Sequence, residues 1–168
     1  MKQRLLAAAV LALLPVAAHA QPATTPVKVN IQSDVSLTRT GSTDFGTVGN
    51  NDAQTFTINP AGPALDQSTA KFVADGEANA NIVVTFDATV ALCHETLGCG
   101  TSITFTSNVG HVDVDNQPSA QPNLASGSTV RLNSVGKYYF WLGGSIDVAA
   151  GQNTGRYEGT FTMSAVYQ

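Results

Sequence analysis

Cys93 and Cys99 are the only two cysteines, six positions apart in CHETLGC with His94 beside the first. Thiols at this spacing have two uses: a disulfide across a hairpin, or metal ligation together with His94 and His111. Structural zinc sites draw four ligands at stereotyped spacings, and two cysteines with one adjacent histidine match none of them well. An even cysteine count in an exported chain favours pairing, and Gly98 would let two hairpin arms come within bridging distance. The expectation is a Cys93–Cys99 disulfide that clips a loop and, closing so few residues, restrains the unfolded chain only modestly.

Asp113, Asp115 and Asn116 in HVDVDN could offer oxygen ligands to calcium. The run lacks the spacing and glycine of a helix–loop–helix calcium loop. The same alternation fits a strand end with Val112 and Val114 inward and the aspartates in water, which is the expected arrangement, with calcium as the alternative. A serine hydrolase needs a nucleophile at a strained turn, a base and an orienting acid. No G-x-S-x-G occurs, and the serines are scattered through strand-like runs. His94 and His111 read as surface-loop histidines. The expectation is a protein that is not an enzyme and has no cofactor and no metal site.

Tyr138, Tyr139, Phe140 and Trp141 concentrate aromatic residues in one run. In a strand two of them point to each face. The pair directed away from the main core, Tyr139 and Trp141, is a candidate contact for a glycan or protein ligand.

The elements that must position these residues are strands. Apolar residues recur at every second position in VKVNIQSDVSL (27–37), QTFTIN (54–59), AKFVAD (70–75), NIVVTFDATVAL (81–92), TSITFTS (101–107), STVRLN (128–133) and KYYFWLGGSIDV (137–148). Turn-rich stretches at 49–52, 59–63, 115–123 and 150–155 separate them. Short alternating strands with such punctuation predict an all-β, antiparallel, immunoglobulin-like β-sandwich, with a barrel as the other architecture. Gly143-Gly144 predicts a bend or bulge between two shorter strands. Phe45-Gly46 reads as an aromatic anchor followed by a turn.

Residues 1–20 read as a secretory signal peptide: Lys2 and Arg4, an apolar stretch from Leu5 to Leu14, then Ala18-His19-Ala20. The remaining 148 of the 168 residues suit one domain that buries roughly 70% of its unfolded surface. Without Lys2 and Arg4, six basic residues face twelve acidic ones. Nothing basic clusters, so nucleic acid is not an expected partner. No other apolar run reaches the length of a membrane helix, so an integral membrane protein is not expected.

Two terminal segments are the most informative. Residues 21–33 precede the domain assigned to 34–168 and alternate through Val27, Val29, Ile31 and Ser33, a candidate strand for lending to a neighbour. The chain closes on GRYEGTFTMSAVYQ (155–168), where Tyr157, Gly159, Phe161, Met163, Ala165 and Tyr167 share one face of what reads as an unbroken strand.

TDFGTV (43–48), AKFVADGEANANIVVTF (70–86) and LGGSIDVAAGQNTGRYEGTFTMSAVYQ (142–168), with the signal peptide, carry a resemblance. The chain resembles a bacterial family catalogued as domain of unknown function 4402, and is distantly similar to spore coat protein U-like domains and chaperone–usher pilins. Pilins end with a glycine fourteen residues from the terminus, alternating apolar residues and a penultimate aromatic. Gly155 and Tyr167 occupy those two positions, with Phe161, Met163 and Ala165 between. The resemblance implies a pilin-like sandwich whose last strand pairs with a periplasmic chaperone and then, at an outer-membrane usher, with a strand such as 27–33 of the next subunit. The functional expectation is an exported structural subunit of a cell-surface fibre, passing through the periplasm and assembling by self-association. The alternative is a self-complete surface module that binds a glycan or protein through Tyr139, Trp141 or the 108–127 loops.

Overall fold

The computed structural model describes residues 34–61 and 68–168. The expected signal peptide, residues 1–20, and the candidate donor residues Val27, Val29, Ile31 and Ser33 lie outside the described residues.

Ten strands are described: β1 Ser36–Thr40, β2 Gln54–Ile58, β3 Ala70–Asp75, β4 Asn81–Phe86, β5 Thr89–His94, β6 Gly98–Val112, β7 Ser128–Arg131, β8 Lys137–Val148, β9 Tyr157–Glu158 and β10 Met163–Tyr167. They form two antiparallel sheets. The main sheet runs β1-β3-β8-β6-β5-β9, with β2 also on β8; the small sheet runs β10-β4-β7. The protein is an antiparallel β-sandwich. Its core lies between the sheets, where Phe72, Phe105, Phe140, Leu142 and Ile146 of the main sheet meet Ile82, Val84 and Val130 of the small one. Alternation explains the choice: in AKFVAD, Ala70, Phe72 and Ala74 are buried while Lys71 and Val73 are only partly so.

Three differences from the sequence reading have physical causes. The run 81–92 is two strands in different sheets, because the chain turns at Asp87-Ala88 and β4 and β5 take different partners. Residues 137–148 are one twelve-residue strand rather than two. Gly143-Gly144 instead mark where β8 changes neighbour, from β3 along Lys137–Leu142 to β2 along Gly144–Val148. Gly144 has φ +145°, and a Cβ there would meet the Thr106 carbonyl and the Phe105 ring. The closing run also divides: Tyr157-Glu158 pairs with β5 in the main sheet, and Met163–Tyr167 with β4 in the small one.

Both crossings occur at one corner. The Asp87 amide donates to the Thr162 carbonyl at 3.1 Å, and the Thr162 amide donates to the Asp87 carboxylate at 2.8 Å. The antiparallel pair therefore bends from one sheet into the other as a ribbon, β4 with β10 and then β5 with β9. Gly159 lies on the crossing segment, where a Cβ would stand 2.7 Å from the Ala91 carbonyl and from Val90. Phe161 fills the corner, its ring 5.9 Å from Phe72 and 6.1 Å from Phe86.

Phe45 packs edge-on against Phe105 at 6.0 Å, and the Gly46 amide donates to the Asp44 carboxylate in a tight turn. Among the described residues no helix is long and apolar enough to cross a membrane.

Candidate functional site: the outer edge of the closing strand

The Cys93–Cys99 disulfide forms, with Cα atoms 4.4 Å apart. It closes an irregular end of the β5–β6 hairpin, where the register jumps from Cys93 opposite Ser102 to His94 opposite Gly98. His94 is not a surface-loop residue. It is 6% exposed, and its ring is fully bonded. Nδ1 accepts from the Thr96 and Leu97 amides at 3.1 and 3.2 Å, so the proton sits on Nε2, which donates to the Thr154 carbonyl at 2.9 Å. The ring meets Tyr157 edge-on at 5.0 Å, and a Cβ on Gly155 would collide with it. Gly155 also has φ +147°, a conformation that glycine adopts at no steric cost. The glycine of the closing motif is thus fixed by a buried histidine that sequence spacing did not associate with it.

His111 stacks on Tyr138, its Nδ1 2.9 Å from the hydroxyl, and its backbone pairs with Gln121 at both amide and carbonyl. It is half-buried, and that burial pushes its pKa below the usual histidine value. Burial, with the nearby Asp113 charge, pushes the Tyr138 hydroxyl up. His94 and His111 stand in separate hydrogen-bonded settings, and no cluster of three or more His, Cys, Asp or Glu side chains suited to a metal occurs among the described residues. Asp115 pairs with Lys71 at 2.5 Å. Val114 is 49% exposed rather than inward, because β6 ends at Val112.

The aromatic run divides as alternation requires. Tyr138 and Phe140 join the main core, and Tyr139 and Trp141 stack at 6.4 Å on the outer face. Trp141 is only 4% exposed, which corrects its assignment as a ligand contact. The cover on that face includes the Asn59-Pro60 segment, which lies against Gly110 and Gly143 where any Cβ would strike Pro60 or Ile58. Gln117 is buried beside it, its amide 3.2 Å from the Thr69 hydroxyl. Tyr139 remains half-buried under the Lys71 ammonium, 5.2 Å above its ring.

The closing strand is different. Its inward face carries Phe161, Met163, Ala165 and Tyr167, all packed on the core yet only half-buried. Ile82 and Val84 on the adjacent β4 are fully buried. Tyr167 is anchored: its hydroxyl accepts the Glu77 amide at 2.7 Å, and its ring occupies the space a Cβ on Gly76 would need. Thr162 bonds to Asp87 and the Gln168 amide to the Asn81 carbonyl, so Ser164 and Val166 also face β4. In an antiparallel ladder, alternate residues point their backbone groups to opposite sides. The N–H and C=O groups of Met163, Ala165 and Tyr167 therefore face outward, where β10 has no strand neighbour among the described residues. β1, at one edge of the main sheet, comes near β10, with Leu37 half-buried against the same core.

No curated protein matches this sequence. A family described as "Domain of unknown function (DUF4402)" matches residues 18–167, nearly the whole length. The chain belongs to the DUF4402 family.

Proposed function

We propose that this protein is an exported structural subunit of a cell-surface fibre or pilus-like assembly, polymerising by β-strand addition at the outer edge of β10. The observation that carries the reading is the contrast within the small sheet. β4 buries Ile82 and Val84 completely, whereas β10 leaves Met163, Ala165 and Tyr167 half-covered beside a row of outward backbone groups. An exposed edge with apolar neighbours invites another strand and is an aggregation liability when left bare. An added strand gains main-chain hydrogen bonds and packs alternate side chains inward. The alternating run Val27, Val29, Ile31 and Ser33 has that pattern. In this reading the chain is exported by residues 1–20, held by a periplasmic chaperone strand at β10, and passed to an outer-membrane usher. It has no catalytic role.

The test compares residues 21–168 with a chain lacking 21–33. The shortened chain is expected to melt lower or aggregate, and a peptide of residues 21–35 is expected to restore it. Negative-stain microscopy of surface extracts should show filaments that disappear when residues 21–33 are deleted. Two equally stable monomers, unaffected by the peptide, would instead indicate a self-complete module.

A further inference from the structure

We infer that the Cys93–Cys99 disulfide is a redox lock on the closing run, and that His94 is the positioning residue through which it acts. The ladder between β5 and β9 is very short. The Glu95 amide donates to the Arg156 carbonyl at 2.9 Å, which makes Glu95 and Arg156 a hydrogen-bonded pair. Alternation then makes Cys93 and Glu158, two residues along, the next such pair, with His94 and Tyr157 side by side between them. The opposite edge of β5 agrees: the Ser107 amide bonds the Ala88 carbonyl, which leaves Cys93 unbonded toward Ser102 and free to bond Glu158. The residue that carries the disulfide is thus the residue whose backbone holds β9.

The side chains reinforce the same point. The disulfide ties Cys93 to the far side of the register jump, which holds the Glu95–Leu97 turn over His94. That turn supplies the Thr96 and Leu97 amides to Nδ1, leaving Nε2 to hold the Thr154 carbonyl just before Gly155. Cys99 is exposed and Cys93 partly so, so a reductant can reach the bond. A dithiol such as dithiothreitol cleaves it by exchange: two electrons pass to the protein, Cys93 and Cys99 become thiols, and the dithiol closes to its own cyclic disulfide. Residues 94–98 then lose the covalent restraint, and β9 loses the ordered partner that fixes where the chain crosses toward β10.

The lock concerns the chain's own fold; its consequence for assembly rests on the strand-addition reading. Hydrogen exchange on the intact, folded protein tests it, oxidised and after dithiothreitol. Reduction is expected to speed exchange at the Glu95 and Glu158 amides on the order of tenfold or more, with β4 amides such as Val84 unchanged. His94→Ala in the oxidised protein should speed the same two amides, because the turn and Thr154 lose their shared partner. Cys93→Ala with Cys99→Ala should reproduce the reduced pattern without reductant. Unchanged exchange at Glu95 and Glu158 in the reduced protein would overturn the lock, as would equal acceleration throughout the sandwich. Binding of the 21–35 peptide is measured in both redox states. Failure to bind in either state would count against strand addition, while the exchange result still decides the lock.

Discussion

Asp87 and Thr162 grip each other twice, amide to carbonyl at 3.1 Å and amide to carboxylate at 2.8 Å, where both strands of the bent ribbon pass from one sheet to the other. Asp87→Ala removes a hydrogen bond to a charged acceptor and leaves the Thr162 amide facing solvent. It should cost about 1–2 kcal/mol in denaturant unfolding, and Asp87→Asn should cost less because an amide oxygen still accepts.

Gly155→Ala combines two penalties, a backbone at φ +147° and a Cβ driven into the His94 ring. A loss of about 1–3 kcal/mol is expected from the backbone strain alone. Its check is a urea titration beside Gly151→Ala, where φ is also positive but nothing stands within 4 Å of the new Cβ. The Gly155 variant should lose clearly more.

Trp141 and Tyr139 should part company on substitution. Trp141→Ala empties a buried site and should cost about 3–5 kcal/mol. Tyr139→Ala removes a half-exposed ring under Lys71 and should cost about 1 kcal/mol. Equal, small losses by thermal unfolding would mean the Asn59-Pro60 cover does not seal the Trp141 site.

His111 predicts one component of acid sensitivity. Its folded pKa lies below the unfolded value of about 6.5, because burial disfavours the charged ring. The unfolded chain then binds more protons in that window. Stability from this group is fully present above the unfolded value, declines as pH falls through the lowered folded value, and is flat below it. The Tyr138 hydroxyl faces the ring, and Asp113 lies two residues further along the same strand end. Melting curves from pH 7.5 to 4.5 should lose this component in His111→Gln, measured against the native chain over the same range.

Much of the fold was legible because alternation and turn residues report directly on a half-buried sheet. QTFTIN, AKFVAD and KYYFWLGGSIDV are strands close to where their patterns begin and end. Periodicity records which face a side chain takes, not which sheet receives it. The inward set Tyr157, Phe161, Met163, Ala165 and Tyr167 keeps its parity through the corner, so the change of sheet at Gly159–Thr162 left no mark in the pattern. Asp87, which makes that corner, is an ordinary aspartate until Thr162 is beside it. The same limit hid His94: its neighbours in sequence are loop-like, while its partners Thr154 and Tyr157 lie some sixty residues away. Trp141 read as a surface aromatic because the segment that covers its face comes from before β3, joined to it by tertiary contact alone.

Strand addition is proposed at the outer edge of β10, where amide exchange read residue by residue distinguishes a paired edge from a bare one. The chain lacking residues 21–33 is measured with and without the 21–35 peptide. Strand addition predicts that the Met163, Ala165 and Tyr167 amides, which face outward, become protected on adding peptide, while Ser164 and Val166, already bonded to β4, change little. Unaltered exchange at Met163, Ala165 and Tyr167 with saturating peptide would contradict it.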